Sequence, residues 1–118
     1  MVKEIEVGAK TIKFLSNGVT PVIFKRIFKD DLLKMLDGGE SMEIASDKVP
    51  ELAFVMAMQA EKTTAELMQL SYEMYFDWLM QFEPLELTLK GVEIANIYIS
   101  DSLPNAEPKK KDSEEQNE

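Results

Sequence analysis

Ile5 and Val7 alternate with Glu4 and Glu6, the chain breaks at Gly8-Ala9, and Ile12 and Phe14 then alternate with Lys10 and Lys13. A two-residue period interrupted by a glycine predicts a β-hairpin over about residues 3–15, with glutamates set against lysines across the strands. An isolated hairpin is marginal, so it needs a packing partner. Thr20-Pro21 supplies an N-cap and a first-turn proline, and Ile23, Phe24, Ile27, Phe28, Leu32, Met35 and Leu36 follow at three- and four-residue spacing. This predicts a first helix running to about Asp37, stopped by Gly38-Gly39 and followed by a polar loop. A second, short helix opens at Val49-Pro50 and carries Leu52, Val55 and Met56, with Ala53, Ala57 and Ala60 allowing close approach.

The strongest helical signal runs from Thr63 to about Gln81, and Thr63 and Glu66 stand at capping-box spacing. Glu66, Gln69, Glu73, Asp77 and Gln81 form one polar stripe on its wheel, leaving an apolar arc of roughly 200°. Leu67, Met68, Tyr72, Met74, Tyr75, Phe76, Trp78 and Leu79 occupy that arc. An arc so wide marks either the central helix of a bundle or a helix with a second apolar face for a partner. Leu67, Leu70, Met74 and Trp78 follow one edge of the arc beside the polar stripe, and a partner groove is expected there. Pro84 breaks the chain, and residues 85–102 give a mixed signal: Ile94, Ile97 and Ile99 favour a strand, while length and polar flanks permit a helix.

The last fifteen residues, "PNAEPKKKDSEEQNE", hold two prolines, three consecutive lysines and no apolar side chain larger than that of Ala106. They cannot bury enough apolar surface to offset ordering, so residues 104–118 are expected to be a disordered tail behind a domain of residues 1–103. Hydrophobic residues make up 45% of the 118 and charged residues 30%, enough for that domain to bury a core. The longest apolar run, Leu52–Met58, is far shorter than a membrane span of about 20 residues. The charged N-terminus "MVKEIEVGAK" lacks the apolar core of a secretory signal, so a cytoplasmic protein is expected.

The net charge of −9 argues against nucleic acid and anionic lipid as partners. It is unevenly spread: residues 1–29 carry six basic and two acidic side chains, residues 30–103 four basic and fifteen acidic. The chain has no histidine and no cysteine. It therefore lacks the commonest general base, the thiol nucleophile and the usual zinc or copper ligands, and neither an enzyme nor a cofactor is expected. Glu83, Glu86 and Glu93 are the remaining hard-cation candidates, but they form no calcium-loop pattern. Eight methionines suit both a gap-filled core and an adaptable binding surface.

The order of parts, with "TPVIFKRIFKDDLLKML", "PELAFVMAMQA" (Pro50–Ala60) and "WLMQFEPLEL" (Trp78–Leu87), resembles the tail assembly chaperones of long-tailed phages and prophages of Gram-positive bacteria. The resemblance spans the whole chain and rests on local patterns, not catalytic signatures. It implies a mainly α fold, a small bundle of about four helices behind the hairpin, with residues 85–102 helical. It also implies a non-enzymatic protein of the bacterial host cytoplasm, absent from the mature virion, whose partners are the tape-measure protein and tail-tube subunits; self-association is left open. In such phages some ribosomes slip frame near the end of this gene, and Lys109, Lys110 and Lys111 are what a slippery adenine run would encode. The rival expectation is a small acidic inhibitor or DNA mimic from a mobile element, occupying a basic groove on a host protein.

Overall fold

The computed structural model describes residues 2–32 and 48–102, the last two as backbone alone. Strands β1 (Val2–Val7) and β2 (Lys10–Leu15) form the antiparallel hairpin, with Ile5 opposite Ile12 and Glu4 opposite Lys13. The second glutamate, Glu6, faces Thr11 instead of a lysine. Ile5, Val7 and Phe14 turn into the core. Gly8 takes a positive φ of 64° at the first position of the two-residue turn, and the Glu86 carboxylate occupies the space where a Cβ would stand. The positive φ is what requires glycine here, since the Glu86 side chain could swing aside.

Among the described residues there are six helices: α1 (Thr20–Phe28), α2 (Val49–Glu61), α3 (Thr64–Leu67), α4 (Tyr72–Leu79), α5 (Glu86–Leu89) and α6 (Gly91–Ser102). The protein is mainly helical with an N-terminal hairpin, and the ambiguous region 85–102 holds two helices, α5 and α6, separated at Lys90, where one final helix is expected. Burial of Ile94, Ile97 and Tyr98 at three- and four-residue spacing overrides the strand preference of its β-branched residues.

The first helix ends well before Asp37. Lys29 adopts a left-handed φ of 60°, and its N–H donates to the Lys25 carbonyl, while Asp30 accepts from the Asp31 N–H and pairs with Lys48 at 3.2 Å. Asp30 gives the backbone a local alternative to helix and ties this corner to the start of α2. Residues 33–47, including Met35, Leu36 and the Gly38-Gly39 stop, lie outside the described residues, as do the expected tail and Lys109, Lys110 and Lys111. Thr20 is not the N-cap. Val19 holds that place without a side-chain bond, which frees the Thr20 hydroxyl for another task.

Helix α2 is the centre of the fold. Every residue from Leu52 to Gln59 is buried, and α2 touches β2, α1, α4, α5 and α6. A helix apolar on all sides must be enclosed. At its C-terminal end, Gln59 accepts from the Thr20 hydroxyl at 2.6 Å and donates to the Asn17 side-chain oxygen at 2.9 Å. The Asn17 N–H donates to Thr20 Oγ1 at 3.0 Å. These bonds fasten the β2–α1 turn onto α2 and satisfy two buried polar side chains.

The predicted helix Thr63–Gln81 is two helices. The capping box forms as expected, with Thr63 accepting from the Glu66 N–H and Glu66 from the Thr63 N–H. That backbone hydrogen bond holds the Glu66 carboxyl below its ordinary pKa. Helical structure then stops after Leu67, and Ser71, extended at φ −135° and ψ 164°, caps α4 by accepting from the Met74 N–H. A serine within a continuous apolar period acts as a new start because its side chain competes for the backbone. The break lets Leu70 turn inward until it is 2% exposed.

Candidate partner-binding surface

Helix α4 leans on the core through a chain of rings. Tyr75 lies 4.9 Å from Phe28 and 5.5 Å from Phe54 between centroids, Phe54 lies 5.7 Å from Trp78, and Trp78 lies 4.9 Å from Phe82. Tilted and edge-on pairs at these separations add to the area they bury. The buried face of α4 is therefore Tyr75 with partly buried Trp78 and Leu79.

Tyr72, Phe76 and Met80, four residues apart, form a stripe beside that buried face. They are 52%, 55% and 81% exposed, and the Tyr72 and Phe76 rings stand 5.1 Å apart. Tyr72 also meets the edge of Phe28 at 5.8 Å, which joins the stripe to α1. Exposed Glu73 and Asp77 border it on the side away from the core. Single exposed apolar residues are ordinary, but a tilted aromatic pair in line with a largely exposed methionine makes a contiguous apolar surface, a candidate for partner binding. Met68 before the stripe and Leu85, Leu89 and Val92 after it are exposed as well.

The edge expected from sequence is the other one. Leu70 is in the core; Leu67 and Trp78 are partly buried against it, and the Leu67 carbonyl accepts from Arg26 at 2.9 Å. Of the four, only Met74, 38% exposed, presents a substantial surface, on a shallow cavity of about 380 Å³ shared with Lys62, Ala65, Glu66 and Gln69. The structure does not assemble Leu67, Leu70, Met74 and Trp78 into one open groove. Both edges of a wide arc look alike on a helical wheel; the break at Met68–Ser71 decides which is covered.

Among the described residues no three acidic side chains gather as a metal-binding group, and no helix is long and apolar enough to cross a membrane. Burial, with the negative charge of Glu51 and then Tyr72 beside it, pushes the Tyr75 phenol up to about 12. The folded state thus holds this proton more tightly than the unfolded chain, whose tyrosines titrate near pH 10. Its contribution is complete below about pH 10 and lost as the pH rises towards 12. Thermal melts of the wild type are expected to fall more steeply across that window than those of Tyr75→Phe; parallel curves would contradict the assignment.

The chain matches no protein-family model, no curated protein and no solved structure.

Proposed function

We propose that this protein is a tail assembly chaperone of a long-tailed phage or prophage of Gram-positive bacteria. In this reading it holds apolar helical segments of the tape-measure protein in the host cytoplasm and passes them to polymerising tail-tube subunits. The observation that carries it is the exposed stripe Tyr72–Phe76–Met80, mounted on a helix anchored by its adjacent face. A surface that captures apolar segments must itself be apolar, accessible and fixed in place.

Holding works by mass action. A chaperone that binds exposed apolar helices removes them from the aggregating pool and releases them as the growing tube competes. No chemical step is required, in keeping with a chain without histidine or cysteine. The mainly helical fold behind an N-terminal hairpin and the local patterns "PELAFVMAMQA" and "WLMQFEPLEL" support the same reading. So does the lysine run Lys109–Lys111, if its codons form a slippery adenine heptanucleotide; codons without one would remove the frameshift from the proposal.

Co-expression with the tape-measure protein encoded downstream tests the reading. A soluble complex that survives purification in both low and high salt is expected. Insoluble tape-measure protein beside an unbound chaperone would refute it. Capture of a basic host protein, lost steeply with salt, would favour the acidic inhibitor instead.

A further inference from the structure

We infer that the α4 stripe takes an amphipathic helix whose apolar face is edged by lysine or arginine. The inference rests on the chaperone reading only for which protein supplies that helix. From Thr63 to Leu89 the chain contains no lysine or arginine, while Glu66, Glu73, Asp77, Glu83 and Glu86 all fall within it. Two of these carboxylates are engaged locally: Glu66 accepts from the Thr63 N–H at 2.9 Å and Glu86 from the Glu83 N–H at 3.0 Å. Glu73 and Asp77 stand one helical turn apart along the border of the stripe and, among the described residues, make no ion pair. Arg26 of α1 is held on the Leu67 carbonyl in the preceding helix.

These charges select the occupant. The stripe from Tyr72 to Met80 spans about 12 Å, the length of roughly two helical turns, which suits a helix laid along it better than a single inserted side chain. A lysine or arginine at the edge of such a helix lays its methylene stem on the apolar surface and brings its charge to Glu73 and Asp77. An acidic edge would instead place like charges together as water is excluded. The same repulsion opposes a second copy docked face to face with its helix antiparallel, since that two-fold contact sets this border against itself. It opposes an anionic lipid surface too.

Two fluorescent helical peptides sharing one leucine and phenylalanine face, flanked by lysine in one and glutamate in the other, distinguish the cases by anisotropy with the full chain. The lysine peptide should bind about tenfold tighter at low ionic strength, roughly the product of two exposed pairings. The gap should close near 1 M salt, where the Debye length is about 3 Å. Glu73→Gln with Asp77→Asn should abolish the preference without abolishing binding, and Phe76→Ser should weaken both peptides. Tyr72→Ser gives a second test of the stripe, and thermal melts show that each variant is folded. Equal binding of the two peptides, a preference surviving the double variant, or a dimer dispersed by Phe76→Ser would overturn the inference. Loss of the charge preference alone leaves tape-measure capture standing; a clear preference without tape-measure capture refutes the chaperone reading and leaves the docking chemistry intact.

Discussion

Phe54→Ala is expected to lower the stability of the fold by about 3–5 kcal/mol, the usual loss when a buried aromatic is truncated in a core that cannot collapse around the gap. Phe54 is 1% exposed on the central helix α2 and meets both Tyr75 and Trp78. It is the post on which α4 rests. Since domains are commonly stable by only about 5–15 kcal/mol, the loss would leave a substantial unfolded fraction under mild denaturant. Urea unfolding followed by circular dichroism measures it, and Trp78 fluorescence should shift because the indole loses a neighbour. A loss below about 1 kcal/mol would mean that α4 is not anchored this way.

Thr20→Val should cost about 1–3 kcal/mol with almost no change in shape. Thr20 is fully buried, its hydroxyl donating to Gln59 and accepting from the Asn17 N–H. Valine would leave the Gln59 oxygen without this donor in an interior where water does not replace it. Gln59→Leu would break the same network from the other side, so the double variant should lose clearly less than the sum of the single losses. Strict additivity in a urea-denaturation cycle would show that the two side chains do not act as a unit.

The hairpin was legible in the sequence because a two-residue period has few rival readings and Gly8 sits where the turn requires a positive φ. The capping box at Thr63 and the opening of α2 at Val49-Pro50 were equally plain. The centre of the fold was harder to place. The wide apolar arc of Thr63–Gln81 suits either a central helix or a helix with a second apolar face, whereas the enclosed helix is α2, whose run "LAFVMAM" contains no charge. Charge explains the difference: Glu73 and Asp77 keep one side of α4 in water, and nothing comparable interrupts α2 from Leu52 to Gln59.

Two local bonds hid from periodicity. Ser71 restarts the helix within an unbroken apolar pattern, and Asp30 supports the corner after α1 although Leu32, Met35 and Leu36 continue the helical spacing. Each is a short polar side chain competing for backbone groups, an effect that hydrophobic spacing does not register. The candidate surface moved for the same reason. Once the chain breaks before Ser71, Leu70 enters the core, Trp78 packs on Phe54 and Phe82, and Tyr72, Phe76 and Met80 remain outside.

The most direct test of the central claim compares tape-measure capture by the wild type, by Phe76→Ser and by Val22→Ser. Val22 is 66% exposed on α1 and serves as an apolar surface position outside the stripe. The three proteins, each confirmed as folded, would be co-expressed with the tape-measure protein and the soluble complex quantified after affinity purification. Full capture by the wild type and Val22→Ser and loss of most of the complex with Phe76→Ser are expected; equal capture by all three would refute a role for the stripe.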